Sequence, residues 1–326
     1  MKYITSYAPI ICIILFLSVG SGCDNTSKRQ HISIGTAPIG GAFHPVGSAV
    51  ADVVSRNIVD KDWEVTAEGT KGTQQNIRLL VNEDRSIEFG LANAAISYFA
   101  IRGEGAWNTV HPIRSVVTLA PNVGLFVTPK STGINSIADL KGKRVVVGPA
   151  GAGFEYFLQP ILAAHGLSYD DFKPLNATYN SAVDYLADGS ADAAFMGGAI
   201  PTPAVTRAST TQDIIFIPLE ESARKSLIEK YPFFTPITIP TDAYSNVLTE
   251  PFDTINVGSM QIITAENVDE DMVYHFTKTL YTHRAEVAKA HPAGKTINET
   301  NAVRNVGTPF HPGAIRFYKE IDIWKE

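Results

Sequence analysis

Four glycine-bearing turns in the sequence carry residue types that can bind an anion. Each turn follows a short apolar run typical of a β-strand and precedes a stretch typical of a helix. Backbone N–H groups at the start of a helix are free to donate, and the helix dipole attracts negative charge there. The first turn has neither the Lys-Ser/Thr of a Walker A loop nor the G-x-G-x-x-G spacing of a dinucleotide site. The turns are 35–43, 69–73, 148–153 and 197–198.

Candidate ligand-binding residues lie in or near these turns. We expect their N–H groups to hold an anionic group, while aromatic rings cover the rest of the ligand. Each candidate also has a structural interpretation: glycines for positive φ, threonines as helix N-caps, Lys71 as a solvated charge and Phe154 as core. Asn93, if buried, must bond either a ligand or neighbouring backbone. The candidates are Gly40, Gly41, Phe43, Thr70, Lys71, Gln74, Asn76, Asn93, Gly151, Gly153, Phe154 and Gly198.

Neither a catalytic site nor a metal site is indicated by the sequence. Four of the eight histidines precede proline and are expected in turns, and no H-x-x-x-H pair or Cys/His cluster occurs. Asp184, Asp188 and Asp192 are spaced by four, but Asp188-Gly189 is typical of a turn that ends a helix. No G-x-S-x-G elbow occurs after the first 22 residues. We therefore predict a binding protein without catalytic residues, metal or cofactor, with an enzyme as the alternative.

The order of the elements predicts an α/β protein with two lobes. Strands that alternate with helices favour mostly parallel sheets, and the apolar run in 212–220 suits a strand covered on both faces. The segments 114–144 and 254–265 are predicted to cross from one sheet to the other and to form a hinge. Ligands of open α/β sheets bind outside the carboxyl ends of strands, so both lobes should face one cleft.

A long helix is predicted between Asn267 and Pro292. Asn267 can cap it, and Glu270 completes the spacing of a capping box. An apolar side is expected to face the core, because apolar residues recur there with helical spacing. This side consists of Val273, Phe276, Leu280 and Val287.

The N-terminal residues predict export and a lipid anchor. An apolar run of 12 residues, 8–19, is too short to span a bilayer and fits the core of a signal peptide. Cys12 would leave with that peptide, so Cys23 would be the single mature cysteine and no intrachain disulfide could form. The sequence Gly20-Ser-Gly-Cys23 resembles a bacterial lipoprotein cleavage box apart from Gly20, where Leu is usual; the alternative is ordinary cleavage nearby. We expect 1–22 to be signal peptide, 23–30 a tether, 31–124 with 262–326 the first lobe, and 125–261 the second.

The charge balance argues against nucleic acid as a partner. Residues 1–22 hold one Lys and no acid, so the remaining chain has 26 basic and 33 acidic residues, a net charge of −7. A diffuse negative surface disfavours nucleic acid and anionic membrane faces. A small anionic ligand stays compatible, because local dipoles and one or two cations decide its binding.

Five stretches carry a family resemblance: IGTAPIGGAFHPVG (34–47), EGTKGTQQNIRLL (68–80), INSIADLKGKRVVVGPAGAGF (134–154), ADGSADAAFMGG (187–198) and GTPFHPGAIRFYKE (307–320). In this order they resemble the TAXI-type solute receptors of TRAP transporters, over nearly all of 31–326. The resemblance implies a two-lobed periplasmic-binding-protein type II fold. It also implies a receptor on the outer face of a bacterial membrane that delivers a small solute to an ion-driven TRAP permease. Family members with known ligands bind small carboxylates such as glutamate or 2-oxoglutarate.

Departures from that family predict a less polar pocket. Relatives commonly have Gly-Ser-Gly-Thr in the second lobe, whereas this chain has Gly151-Ala-Gly-Phe154, with two hydroxyls lost and a ring gained. Lys71 stands where a small residue is common, so we expect it to be the one strong anion partner. The alternatives are the binding component of an ABC importer or a sensor kinase, and a structural lipoprotein without a ligand.

Overall fold

The computed structural model of the protein describes residues 1–3, 29–59 and 61–325. The predicted signal peptide, apart from its first three residues, and the predicted lipidation site Cys23 lie outside the described residues. Within the described ranges, no helix combines the length and the apolar character needed to cross a membrane.

Twelve strands in the described residues form two sheets and a ribbon. The first sheet has the order β2-β1-β3-β12-β4 and the second β7-β6-β8-β5-β9, while β10 and β11 form an antiparallel pair. In each sheet a single strand, β12 or β5, runs antiparallel to both neighbours. The two mostly parallel sheets confirm the predicted two-lobed α/β fold. The strands are β1 Gln30–Gly35, β2 Trp63–Glu68, β3 Phe89–Asn93, β4 Ile113–Ala120, β5 Phe126–Pro129, β6 Arg144–Val146, β7 Lys173–Leu175, β8 Ala193–Phe195, β9 Ile214–Ile217, β10 Phe234–Ile239, β11 Phe252–Val257 and β12 Met260–Ala265.

Ten α-helices of the described residues cover these sheets. Seven of them, α1 to α7, begin within nine residues of the carboxyl end of a strand that runs in the main direction of its sheet, and this arrangement places their N-termini along one edge of each sheet. The helices are α1 Phe43–Asn57, α2 Thr73–Val81, α3 Ala94–Ala100, α4 Glu155–Ala164, α5 Tyr179–Ala187, α6 Pro203–Thr211, α7 Glu221–Lys230, α8 Glu270–Thr282, α9 Arg284–Ala290 and α10 Pro312–Glu320.

Two chain segments cross between the lobes side by side. The first, 121–125, joins β4 of one sheet to β5 of the other, and the second runs from β11 through 258–259 into β12 of the first sheet. They are bonded to each other: the Gly124 N–H donates to the Ile255 carbonyl at 2.9 Å, and the Val257 N–H donates to the Asn122 carbonyl at 2.8 Å. This pair of strands is the predicted hinge, while the residue limits proposed for the two lobes remain a prediction.

The long helix predicted after Asn267 is two helices. Asp269, not Asn267, caps α8, because its side chain accepts from the Met272 N–H at 2.9 Å. Asn267 instead accepts a hydrogen bond from Arg85. The chain leaves the helical conformation at His283, whose carbonyl accepts from the Glu286 N–H and starts α9. The predicted apolar side is correct, since Val273, Phe276, Leu280 and Val287 are all buried.

Two of the four His-Pro pairs begin helices: His291 precedes a 3-10 helix, Pro292–Thr296, and His311 precedes α10. His291 and His311 are buried, and their Nδ1 atoms accept from the N–H groups of Ala293 and Gly313 at 3.1 and 3.2 Å. Proline follows each of them at the first helical position, where its missing N–H costs nothing. Burial lowers the pKa of both imidazoles below the ordinary value of 6.5, because the charged form would be desolvated.

These two histidines should make the protein less stable in mild acid. The unfolded chain binds their protons at a higher pH than the native state does, so the free energy of unfolding should fall as pH drops from about 7 through 6.5 toward the native pKa values. Urea unfolding at several pH values measures this slope. The double variant His291→Asn and His311→Asn keeps a capping oxygen and should flatten it, whereas His31→Asn at an exposed position controls for the substitution itself. An unchanged slope in the double variant would contradict the assignment.

Candidate ligand-binding site

A cavity lies between the two lobes, at the carboxyl ends of strands from both sheets. About 60 Å³ of it is open to the centre of a water molecule, which is room for about four to six waters or a ligand of similar bulk. Its lining residues are Ala37, Pro38, Gly41, Ala42, Phe43, Lys71, Gly72, Thr73, Asn93, Ile96, Asn122, Pro149, Phe154, Phe157, Tyr179, Phe195, Gly197 and Gly198.

Three helices direct their N-termini at the cavity. The N-cap residues Ala42, Gly72 and Phe154, which precede α1, α2 and α4, all line it. In none of the three does a side chain cap the helix. The first N–H groups of a helix have no partner within the helix, so donors and positive dipole ends from both lobes converge on this space. Such an arrangement suits the oxygen atoms of an anion.

Lys71 is the only charged residue among the described residues that line the cavity. Its side chain is exposed, and within the described part of the chain it forms no ion pair. Its backbone N–H donates to Gln75 Oε1 at 2.7 Å, which fixes the turn before α2. The Lys71 backbone is therefore held beside the cavity, while its exposed side chain stays free to reach an anion there.

Aromatic rings form the wall of the cavity on the second lobe. The Phe154 ring lies 5.9 Å, centroid to centroid, from both Tyr179 and Phe195, in edge-to-face contacts. The Tyr179 hydroxyl donates to the Gly197 carbonyl at 2.6 Å, and burial raises the pKa of this phenol far above its ordinary value. Tyr179 is therefore a neutral, fixed wall, and the bulk of the cavity surface is apolar.

Asn122 is a lining residue that sequence reasoning missed. It lies in the first crossing segment, is 7 % exposed, and its side-chain oxygen is buried without a hydrogen-bond partner. Its backbone is fully engaged, since the N–H donates to Asn256 Oδ1 at 2.9 Å and the carbonyl accepts from Val257. The sequence placed a crossing strand here, but only the fold brings its side chain to the cavity. No motif spacing could have identified it.

The predicted candidates fall into two groups. Half of them line the cavity; of the other half, all but Gly151 lie behind it or at the contact between the lobes. The lining group is Gly41, Phe43, Lys71, Asn93, Phe154 and Gly198. The other group is Gly40, Thr70, Gln74, Asn76, Gly151 and Gly153.

Two of the second group hold the turn that carries Lys71. The Asn76 amide is buried and donates to the carbonyls of Gly35, Thr36 and Leu91 at 3.1, 2.8 and 2.9 Å. The Thr70 hydroxyl lies 2.7 Å from Asn76 Oδ1. These side chains join β1, β3 and the turn before α2, so they position the site from behind.

Gly40, Gln74 and Gly153 lie where the lobes touch. The Gly40 carbonyl accepts from the Ala204 N–H at 3.0 Å, and the Gln74 N–H donates to the Ala152 carbonyl at 3.3 Å. Gly153 has φ +90°, and a Cβ there would approach Ile96 to 3.1 Å. Gly151 is exposed with open space around it. The first three residues allow close approach of the lobes.

Asn93 lines the cavity, but backbone groups satisfy its side chain. Its Oδ1 accepts from the N–H groups at the start of α3, with Ala95 at 2.8 Å. Its Nδ2 donates to the Val257 and Gly258 carbonyls at 3.1 and 3.0 Å. Asn93 therefore ties the first sheet to the second crossing strand.

Comparison with known proteins gives the same architecture. The sequence profile of the NMT1-like family matches residues 34–321. A solved periplasmic transporter is similar with a TM-score of 0.54 and 14% identity, over 90% of this chain and 92% of that one. A protein from Bordetella bronchiseptica RB50 gives 0.53 and 16%, over 89% and 82%. The binding component of an ABC phosphonate transporter from Pseudomonas aeruginosa gives 0.50 and 13%, over 82% and 79%. At these identities the likeness establishes the two-lobed fold.

Replacing Asn76 should lower the free energy of unfolding, whereas replacing Lys71 should leave it nearly unchanged. Replacing Asn76 with Ala leaves several buried carbonyls short of a donor, so we expect a loss of roughly 2–3 kcal/mol in the free energy of unfolding. Lys71→Ala at an exposed position should change it by less than about 0.5 kcal/mol. Urea unfolding of both variants without added ligand measures the difference. Equal stabilities would contradict the structural role given to Asn76.

Proposed function

The chain belongs to the NMT1-like family, and on this premise we propose that it is an extracytoplasmic solute-binding protein. The ligand is a small organic anion, a carboxylate or an amino acid, held between the lobes. The observation that carries the proposal is the convergence of three uncapped helix N-termini on one interlobe cavity that Lys71 also lines. Binding and release, rather than turnover, is the activity.

The predicted site residues receive specific roles in this proposal. N–H groups at Gly41 and Phe43 in the first lobe and beside Phe154 in the second bind the anionic end, with Lys71 at the mouth. Gly198 faces the first lobe across the cavity: a Cβ there would lie at an ordinary contact distance of 3.8 Å from that of Ala42, and 3.1 Å from the Thr202 hydroxyl of its own lobe. The other candidates shape the site: Gly40, Thr70, Gln74, Asn76, Asn93, Gly151 and Gly153.

The partner is proposed to be a TRAP-type membrane permease. The support is the TAXI-like order of motifs described above. Because members of that family with known ligands bind glutamate or 2-oxoglutarate, these two acids are the first ligands to test. Delivery to an ABC importer is the second candidate, favoured by the fold-level likeness to the ABC phosphonate-binding component. Uptake by the reconstituted permease distinguishes them, because a TRAP system follows an ion gradient and an ABC importer requires ATP.

Filling the cavity should abolish ligand binding and leave the fold intact. A Cβ at Gly41 would lie 3.6 Å from the Tyr179 ring, an ordinary contact, and Gly41 has no positive φ. Gly41→Ala should therefore bind, whereas Gly41→Leu should place its side chain in the cavity. At 100 times its dissociation constant a ligand adds about 2.7 kcal/mol to native stability. A thermal-shift screen of small organic acids and amino acids should show this gain for wild type and Gly41→Ala only.

Two results of this screen would contradict the proposal. Gly153 is a poor alternative for this test, because any side chain at its φ of +90° is strained. A wild-type protein that no acid stabilises would exclude the anion-binding function. If a ligand still raised the melting temperature of Gly41→Leu, and the unliganded variant melted at the wild-type temperature, the ligand would bind outside this cavity.

The lipid anchor is a separate proposal that concerns the N-terminus. Lipidation of Cys23 would retain the protein in the membrane fraction of the native host, and Cys23→Ala should release it after cleavage elsewhere. Fractionation followed by mass measurement of the N-terminal peptide tests this. A wild-type protein found in the soluble periplasmic fraction with an unmodified Cys23 would contradict the anchor.

A further inference from the structure

We propose that the ligand is a small monocarboxylate that carries a neutral hydrogen-bond donor, such as a hydroxyl, directed at Asn122. This inference rests on the proposed solute-binding function and narrows its ligand class. It excludes dicarboxylates and zwitterionic amino acids as preferred ligands. Three observations carry it: the unpartnered Asn122 oxygen, the charges at the cavity, and its aromatic wall.

The Asn122 side chain presents an acceptor with no donor. Its Oδ1 is buried and unpaired although the residue is only 7 % exposed and lines the cavity. A buried polar atom without a partner is costly, and buried polar groups in folded proteins are nearly always satisfied. An amide oxygen accepts only, so the complementary ligand atom must bear an O–H or N–H. A ligand that consists of carboxylate and hydrocarbon alone leaves this oxygen unsatisfied.

The charges at the cavity select among ligands that carry such a donor. No Asp or Glu is present among the described lining residues, so an ammonium group would be desolvated without a counter-charge. Lys71 is the single cation there, which matches one carboxylate and leaves a second one unpaired. A ligand with one negative charge and a neutral donor satisfies both Lys71 and Asn122.

The wall of the second lobe suits the body of such a molecule. Phe154, Tyr179 and Phe195 present aromatic surface, and the Tyr179 hydroxyl is already bonded to the Gly197 carbonyl. These rings offer no hydrogen-bond donor to a second carboxylate. They favour hydrocarbon between the carboxylate and the remainder of the ligand.

Matched pairs of acids test the inference directly. Isothermal titration compares lactate with propionate and 3-hydroxybutyrate with butyrate, so that each pair differs by one hydroxyl. We expect roughly tenfold tighter binding of the hydroxylated acid in at least one pair, as for a buried hydrogen bond. Alanine, glutamate, malate and succinate should bind more weakly than the preferred monocarboxylate.

Two variants assign the effect to Asn122. Asn122→Leu removes the acceptor at similar size, so the hydroxyl preference should fall to about one. Lys71→Ala should weaken both members of each pair and leave their ratio unchanged, because it contacts the carboxylate that they share. Circular dichroism and urea unfolding show whether each variant is folded. If Asn122→Leu does not fold, the ratios measured with the wild-type protein still test the inference.

The failures of the two proposals are distinguishable. Binding of acids without a hydroxyl preference, or tightest binding of a dicarboxylate or amino acid, overturns this inference and leaves the solute-binding function in place. A preference that survives Asn122→Leu overturns the role of Asn122. If no acid from the panel binds to the wild-type protein, the proposed function and this inference fall together.

Discussion

The backbone hydrogen bonds between the two crossing segments are the constraint on which the site depends. Gly124 and Val257 donate across the crossing, and Asn256 Oδ1 accepts from the Asn122 N–H. Because both sheets are fixed to this pair of strands, the carboxyl ends of their strands face the same gap. Helix N-termini that would otherwise lie on separate surfaces then converge. The ladder also presents the Asn122 side chain to the cavity while its backbone holds the lobes.

Polar residues near the cavity divide into those that build it and those left available. Asn76 and Asn93 resemble ligand-binding residues in type and position. Their amides are hydrogen-bonded to backbone groups, so both side chains stabilise the fold around the cavity. Glycine acts similarly: a Cβ at Gly148, whose φ is +94°, would lie 2.3 Å from the Phe154 ring. That glycine lets the ring form the wall. What remains is the exposed Lys71 side chain, the unpaired Asn122 oxygen and the N-termini of α1, α2 and α4, which no side chain caps.

Sequence patterns identified the layout better than the roles of single residues. Glycine turns after apolar runs located the α/β units, because strand ends and helix starts are local features with local signals. The break at His283 was missed, since apolar residues recur with helical spacing on both sides of it, through α8 and α9. Asn76 was expected to bind ligand because it follows a turn, yet its partners on β1 and β3 come from tertiary structure. Asn122 was missed for the same reason.

Contacts between the lobes outside the cavity influence how tightly a ligand can be held. Phe99 of the first lobe stacks on Tyr156 of the second with centroids 5.4 Å apart, and Ala204 donates to the Gly40 carbonyl. These contacts stabilise the same lobe arrangement that assembles the cavity, even without a ligand. A ligand's apparent affinity rises with the population of the competent arrangement, so these residues contribute to binding without touching the ligand. Affinity in this fold therefore depends in part on residues outside the cavity, because the interlobe contacts set the population of the arrangement that can bind.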